Sequence, residues 1–236
     1  MHVTRSISYA GHTVPDPAIR IFESRGPSLL GISAFFGLAY FLTIAWHPFP
    51  GSLILKGLSI ATLAVFAWKL NHSLLAIGLG VSSLGDMLLD VQSANLFIPG
   101  LIAFLVAHIL YAIRFYSQWQ RPLRIWEKQR LLIALVLIYA ASITLWLKPS
   151  LGALTLPVTI YVCAITIMVI TAVIARTPWP VLLGALLFLV SDSLLAAGKF
   201  KGIFPYRDYL VWGTYFLAQY GIAQSARLEN EPAQGW

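Results

Sequence analysis

Two aspartates, Asp86 and Asp192, stand well inside long apolar stretches of the sequence. The stretch around the first, residues 73–91, is long enough for a helix to cross a bilayer. An ionisable side chain in hydrocarbon costs about 3 kcal/mol or more, so it marks a functional site by default. Two carboxyl groups with separated pKa values can act as a general acid and a general base. The pair therefore predicts acid–base chemistry inside a membrane.

The two aspartates have matching surroundings. Each follows a glycine by eight positions (Gly78 and Gly184), has a small residue directly before it, and has Leu-Leu two positions after it. At helical spacing these glycines share a face with the aspartates, and small residues let membrane helices pack closely. Each aspartate could instead serve structure alone, by a hydrogen bond across a helix interface or a buried ion pair. The matched contexts favour function and suggest an internal duplication.

The composition predicts a membrane protein. Hydrophobic residues make up 58% of the chain and charged residues only 11%, with a mean hydropathy of +0.78. A soluble domain of 236 residues has too little interior for that much apolar surface. The net charge of +7 comes from dispersed Lys and Arg, which argues against nucleic acid as a partner. The lone cysteine, Cys163, excludes a disulfide framework and is expected to be a small core residue.

Eight apolar segments are long enough to span a bilayer as helices. Short, Pro- or Asn-containing breaks separate them, so consecutive helices should be antiparallel neighbours. The fold class is therefore all-α, a polytopic protein of eight transmembrane helices that could form two parallel four-helix halves. The predicted segments are 28–46, 51–68, 73–91, 96–117, 130–147, 154–175, 180–198 and 206–226.

The distribution of basic residues predicts the orientation. Eleven Lys and Arg fall in the N-terminal tail, the second, fourth and sixth connections and the C-terminus, against four on the opposite side. Because cytoplasmic loops carry the excess of basic residues, both termini should be cytoplasmic. We expect residues 1–27 and 227–236 to be cytoplasmic tails around a membrane domain at 28–226. The location expected is a cell membrane, the inner one in a bacterium.

Further polar residues stand inside the predicted spans. Lys56 lies in the first two turns of the second helix, on the side of the carboxylates, where it could snorkel to head groups, hold one carboxylate ionised or meet a lipid phosphate. Asp90 and Asp208 lie near predicted helix ends and are expected to be solvated. Four polar residues near the middle of the fourth and eighth helices predict one polar cavity: His108, Tyr111, Tyr215 and Gln219. Together with Lys56 and Ser191, they are the residues expected to bind the substrate.

Several of these residues form a pattern that resembles the YhhN-like lysoplasmalogenase family. The pattern covers most of the chain from the second helix onward. It consists of Gly85-Asp86, Phe97-x-x-Gly100-x-x-x-Phe104-x-x-Ala107-His108-x-x-Tyr111, Gly184-x-x-x-Phe188-x-x-Ser191-Asp192-x-x-Leu195-Ala196 and Tyr215-x-x-x-Gln219.

The resemblance implies an eight-helix membrane hydrolase that cleaves the vinyl ether bond of lysoplasmalogens to a fatty aldehyde and a glycerophospho-alcohol. It also implies that Asp86 and Asp192 are the catalytic pair. The family often has Lys-Pro at the start of its second helix, whereas this chain has Lys56-Gly57. Such chemistry needs a proton at the alkene carbon and water at the adjacent carbon, so no metal or organic cofactor is expected. The expected partners are a lysophospholipid substrate and membrane lipid.

Two other functions use intramembrane aspartates. A proton-coupled transporter or a lipid-binding protein could employ the pair as a proton relay, and such a protein would release no new product in detergent. An intramembrane aspartyl protease also carries one Asp on each of two helices. Here, however, Ser83 stands where those proteases have Gly, and no Pro-Ala-Leu motif follows.

The charge asymmetry yields a test of topology. A cytoplasmically active reporter fused after Trp236 should be active, because the basic residues place the C-terminus in the cytoplasm. A reporter that is active only outside the cytoplasm, fused at the same position, should stay silent. The reverse pattern would refute the predicted orientation.

Overall fold

The computed structural model describes residues 17–49, 51–91, 94–118 and 126–228, and every regular element in these ranges is helical. In chain order the helices are α1 (Pro17–Thr43), α2 (Ser52–Lys69), α3 (Ser73–Asp90), α4 (Ala94–Ser117), α5 (Glu127–Leu151), α6 (Thr155–Ala175), α7 (Trp179–Phe200), α8 (Arg207–Ala223) and the short α9 (Ser225–Leu228). Two 3-10 turns, Ile44–Trp46 and Gly152–Leu154, follow α1 and α5. Each predicted apolar segment thus overlaps one of the helices α1 to α8.

The helices suit a membrane. Among the described residues, six segments are long and apolar enough to span a bilayer, and one of them, Glu127–Ala175, contains both α5 and α6. Helix α8 has only 17 residues. Helices satisfy their own backbone hydrogen bonds, which is the condition for crossing hydrocarbon. The all-helical, polytopic character predicted from the sequence is confirmed.

One expectation changes in the structure, and one helix starts earlier than the apolar segment that predicted it. Helix α1 begins at Pro17, within the predicted tail 1–27, and proline is well suited to the first position of a helix. Cys163 is exposed on the outside of α6 instead of lying in the core. The apolar sequence around it did not distinguish the lipid-facing side from the interior, because both are apolar in a membrane protein. Residues 1–16, Arg121, Arg124 and 229–236, which enter the topology argument, lie outside the described ranges.

The aromatic residues at the segment ends lie mostly on the surface. Such amphipathic rings favour the membrane–water interface. The exposed ones are Trp46, Trp68, Trp146, Trp179 and Tyr206.

Close helix packing positions the two aspartate-bearing helices. Helix α3 packs between α2 and α4, and α7 packs against α8 and α6. Gly78 faces the ring of Tyr111, with 2.5 Å between the ring and the position that a Cβ atom would take. Gly184 lies directly against the backbone of α8. As their small size predicted, Gly78 allows α4 to approach α3 closely, and Gly184 allows α8 to approach α7 closely.

The contact at Gly184 predicts the outcome of a substitution. A Cβ atom there would lie 2.7 Å from the Ala218 carbonyl oxygen and 2.9 Å from the Ile222 nitrogen, and backbone atoms cannot move aside cheaply. Gly184→Ala should therefore lower the free energy of unfolding by about 1–3 kcal/mol. Thermal unfolding of the purified protein in detergent measures this change.

Gly80 on α3 supplies the matched control. No heavy atom lies within 4 Å of the position of its Cβ, so Gly80→Ala should leave stability unchanged or raise it by up to about 1 kcal/mol. Equal effects at both positions would contradict the packing assigned to Gly184.

Candidate active site

Asp86 lies near the C-terminal end of α3 and is buried, with 3% of its surface exposed. Its Oδ2 accepts a hydrogen bond of 2.6 Å from the Tyr215 hydroxyl of α8. Its Oδ1 lies 3.9 Å from the Lys56 Nζ of α2. A buried carboxylate is stable only with such partners. Helices α2 and α8 thus provide the groups that allow the charge of Asp86 inside the bundle.

Asp90 is not solvated, contrary to the expectation from its place near a helix end. Its side chain is 5% exposed, and its Oδ1 lies 3.6 Å from the Lys56 Nζ. The Tyr40 hydroxyl donates to Oδ1 at 3.1 Å and the Ser52 hydroxyl to Oδ2 at 3.0 Å. The His47 Nε2 is 3.3 Å from Oδ1. Asp90 follows Asp86 by one helical turn, so both point the same way, and the start of α2 covers them.

Lys56 is enclosed on several sides. Besides the two carboxylates, its Nζ lies 5.7 Å from the ring centroid of Tyr40 and 5.8 Å from that of Trp212. Aromatic faces attract cations, and more strongly where water is excluded. The ammonium group therefore lies between the two carboxylates and the two aromatic rings.

Asp192 has different partners. The Tyr161 hydroxyl of α6 donates to its Oδ2, and the His108 Nε2 of α4 lies 3.2 Å from the same oxygen. The His108 Nε2 is also 3.0 Å from the Tyr161 hydroxyl, so the three polar groups form a triangle. His108 is fully buried against the ring of Phe188, whereas the side chain of Asp192 is 13% exposed. This triangle fixes the Asp192 carboxyl group while leaving part of it accessible.

A third hydrogen-bonded group lies behind Asp86. The Gln219 amide nitrogen donates to the Tyr215 hydroxyl at 3.0 Å, and the Tyr111 hydroxyl donates to the Gln219 oxygen at 2.9 Å. Ser82 on α3 is 3.3 Å from the same Tyr111 hydroxyl. The chain of bonds sets the direction in which the Tyr215 hydroxyl donates. Asp86 is thereby positioned from inside the protein.

Both aspartates line one polar cavity that holds about 850 Å³ of space outside the protein atoms. Helices α1, α2, α3, α4, α7 and α8 contribute to its wall. Its acidic and basic lining residues are His47, Lys56, Asp86, Asp90, Asp192, Arg207 and Asp208. Asp208 has a side chain that is 65% exposed, so its predicted solvation is confirmed. Asp86 and Asp192 therefore line the same cavity, together with Tyr215, one of the four polar residues expected there.

The other predicted site residues fall into two groups. Lys56, Tyr215 and Ser191 line the polar cavity, and the Ser191 hydroxyl donates to the Val211 carbonyl oxygen at 3.0 Å. His108, Tyr111 and Gln219 are fully buried and lie behind the carboxyl groups. His108 contacts Asp192 directly. Gln219 bonds to Tyr215, the partner of Asp86, and Tyr111 bonds to Gln219, so these residues are placed to orient the carboxyl groups.

Sequence reasoning missed several contributors. Asp90 had a usable signal, its spacing of four from Asp86. Tyr161, Tyr40 and Ser52 had none, because single hydroxyl residues in apolar segments are common and their neighbours come from distant parts of the chain. In the described part of the chain, no cluster of three or more His, Cys, Asp and Glu side chains could hold a metal ion.

The fold and the site define an integral membrane protein with two carboxyl groups, one buried and one partly exposed, in a common cavity. The model of the YhhN family matches residues 51–226, and the chain belongs to that family. It is 32% identical over 241 residues to the lysoplasmalogenase TMEM86A of Bos taurus, covering 92% of this chain and 96% of that protein. The human lysoplasmalogenase TMEM86A is also 32% identical, with 92% and 95% covered.

A lysoplasmalogenase of Mycobacterium tuberculosis is 35% identical over 127 residues, which cover 51% of this chain and 47% of that protein. No solved structure matches the chain.

The ion cluster yields a double-mutant prediction. Lys56→Met leaves Asp86 and Asp90 without their neighbouring ammonium group and should lower the free energy of unfolding by about 3 kcal/mol. The same substitution in an Asp90→Asn background should cost less, with a coupling energy of about 0.5–3 kcal/mol. Denaturation of the four proteins in detergent measures the coupling.

Glu127, an exposed residue at the start of α5, is the control partner. Lys56→Met and Glu127→Gln should be additive. Additivity of Lys56→Met with Asp90→Asn as well would show that the ion pair contributes nothing to stability.

Proposed function

We propose that this protein is a lysoplasmalogenase, which hydrolyses the vinyl ether bond of 1-alkenyl lysophospholipids to a fatty aldehyde and a glycerophospho-alcohol. One observation carries the proposal: Asp86 and Asp192 meet at one cavity inside a chain that is 32% identical, over nearly its whole length, to lysoplasmalogenases. The products and the bond that is cleaved come from the activity that the relatives are named for.

The proposed mechanism divides the reaction between the two carboxyl groups. One carboxylic acid delivers a proton to the alkene carbon, which leaves an oxocarbenium ion at the carbon that carries the oxygen. The other group, as a carboxylate, stabilises that cation and accepts a proton from the attacking water. The resulting hemiacetal breaks down to the aldehyde and the alcohol. The different surroundings of Asp86 and Asp192 support such a division.

The remaining polar residues support these two. Lys56 and Tyr215 hold Asp86, while His108 and Tyr161 hold Asp192. Gln219 and Tyr111 orient Tyr215 from behind. Ser191 lines the cavity beside Asp192 and is proposed to contact substrate.

We also propose that all of α1–α8 cross the membrane and form two parallel four-helix halves with cytoplasmic termini. Asp86 and Asp192 are each the fourteenth residue of their helix, and each helix packs on the one that follows it. The contacts of α4 with α6 and of α8 with α2 are related in the same way. These correspondences support the duplication.

The assay that tests the function is incubation of the purified protein in detergent with lysoplasmalogen, intact plasmalogen and lysophosphatidylcholine. Aldehyde should form from lysoplasmalogen, and no fatty acid should form from lysophosphatidylcholine. A second acyl chain would replace the free glycerol hydroxyl, which the polar lining of the cavity can hydrogen-bond, so intact plasmalogen should react at least about tenfold more slowly. Absence of aldehyde would refute the function, and equal rates on both plasmalogen forms would refute the selectivity.

The carboxyl pair makes a further prediction. Asp86→Asn or Asp192→Asn keeps the side-chain shape but removes a proton donor or acceptor, so each should lower kcat by about 10²–10⁴-fold. Since the two act as a unit, the double variant should be hardly slower than the slower single variant. Aldehyde release under single-turnover conditions measures the loss.

Glu127→Gln is the matched control for removal of a carboxylate and should retain full activity, since Glu127 is exposed on α5. Circular dichroism and the unfolding temperature show whether the Asn variants are folded. Substantial turnover by either single variant would eliminate the two-carboxylate mechanism, and loss of folded protein would assign the aspartates to structure.

A further inference from the structure

A second cavity, distinct in character from the polar one, lies between α3, α4, α5, α6 and α7. The space between its wall residues, counted together with the open space at its mouth, is about 660 Å³. Its wall is almost entirely aliphatic and aromatic. Representative members are Phe97 on α4, Leu147 on α5, Val162 on α6, and Ala196 and Phe200 on α7.

The two cavities meet at a short shared wall made by Leu89, Phe104, Asp192 and Leu195. Among the described residues, Asp192 is the carboxylate that lines both cavities, whereas Asp86 and Asp90 line the polar cavity alone. The site is therefore a polar compartment and an apolar compartment with a carboxyl group at their boundary.

This arrangement matches an amphiphile with one chain. The polar cavity presents Lys56, His47 and Arg207 together with four aspartates, a polar surface that suits the phosphate and the other polar atoms of a lipid head. The apolar cavity presents a surface that gains free energy when it encloses a hydrocarbon chain. We propose that the apolar cavity binds the alkenyl chain of the lysolipid, tail inward, and that Asp192 is the group that delivers the proton. This inference rests on the lysoplasmalogenase function proposed above.

The order of atoms in the substrate connects the binding mode to the role of Asp192. From the tail, the chain runs through the alkene carbon that accepts the proton, then the carbon that bears oxygen, then the ether oxygen and glycerol. With the tail in the apolar cavity, the proton-accepting carbon lies at the boundary beside Asp192. The oxygen-bearing carbon then faces the polar cavity, where Asp86 lies.

The steps balance for this assignment. A proton moves from the Asp192 carboxyl group to the alkene carbon, and the electron pair of the double bond forms the new C–H bond. Water adds to the oxygen-bearing carbon and gives a proton to the Asp86 carboxylate. Collapse of the hemiacetal forms the aldehyde C=O bond and breaks the C–O bond to glycerol, while the hydroxyl proton passes to the glycerol oxygen. Asp86 then gives its proton to solvent and Asp192 takes one up, which restores both carboxyl groups. Asp86, with the Lys56 ammonium beside it, has the neighbour that suits a carboxylate.

Filling the apolar cavity tests the binding mode. Ala196→Phe on α7 and Val162→Phe on α6 each place a ring where the chain should lie, and both residues line this cavity and not the polar one. The readout is kcat/KM for lysoplasmalogens with alkenyl chains of about 16 carbons and about 6 carbons. Either variant should lose at least about tenfold on the long chain and less than about threefold on the short chain.

Ala197→Phe is the control, since Ala197 neighbours Ala196 on α7 and lines neither cavity. It should leave the ratio of long-chain to short-chain kcat/KM unchanged. Equal losses on both chain lengths in a folded Ala196→Phe or Val162→Phe variant would overturn the binding mode. Wild-type protein without activity on any alkenyl lysolipid would instead refute the proposed function itself.

Exchange of hydrogen isotopes tests the role of Asp192. In deuterium oxide, the Asp86→Asn variant keeps the proton donor but not the acceptor for water, so the oxocarbenium ion should partly return to substrate. Recovered substrate should therefore carry deuterium at the alkene carbon, and substrate recovered from Asp192→Asn should carry none. Mass spectrometry of the recovered lysolipid decides. Deuterium in substrate recovered from Asp192→Asn, or no deuterium in substrate recovered from either variant, would overturn the assignment of Asp192 as the proton donor.

Discussion

The compensation of buried carboxylates is the constraint on which this structure depends. Asp86 and Asp90 point into the interior of an apolar bundle, where an unpaired charge costs several kcal/mol. The Lys56 ammonium of α2 lies within 4 Å of both, and hydroxyl groups from α1, α2 and α8 bond to them. Four helices are thereby fixed relative to one another by a single cluster. Because the cluster is satisfied only when those helices are assembled, the site and the fold form together.

Asp192 is held in another way, and this difference supports the proposed division of roles between the two carboxyl groups. Its partners are a phenol and an imidazole, while those of Asp86 are an ammonium group and a phenol that is itself oriented by Gln219. Two identical side chains in unlike surroundings can hold protons differently, which is how carboxyl pairs divide acid and base roles. The buried groups behind the pair fix its orientation, so little reorganisation is required when a substrate enters.

The two cavities differ in polarity, and this difference would orient a bound lipid. A membrane enzyme that acts on lipid must hold both a charged head and a hydrocarbon chain, whose favourable surroundings are opposite. Here the polar lining of one cavity and the apolar lining of the other meet at Asp192. The bond at the boundary between head and chain is where a vinyl ether lies in a lysoplasmalogen. The bond that is cleaved would then be selected by its position between the head and the chain of the lipid, more than by specific contacts to its atoms.

The sequence by itself determined the helices and the two principal aspartates. Long apolar runs can be satisfied in a membrane only as helices, since each backbone group needs an internal partner, and this condition is local. Carboxyl groups inside such runs can also be recognised from the sequence, because the free energy needed to place them in hydrocarbon indicates a functional role. Gly78 and Gly184 correctly predicted the close approach of the next helix, because the lack of a side chain is a local property that the sequence shows directly.

Only the tertiary structure decided which side of each helix is interior. A helix in a bilayer is apolar both toward lipid and toward its neighbours, so hydropathy does not distinguish the exposed Cys163 from a core residue. The burial of Asp90 depends on the way the start of α2 covers α3, and the partnership of Tyr161 with Asp192 joins residues 31 positions apart. These relations arise from packing between distant segments, and no local pattern in the chain encodes them.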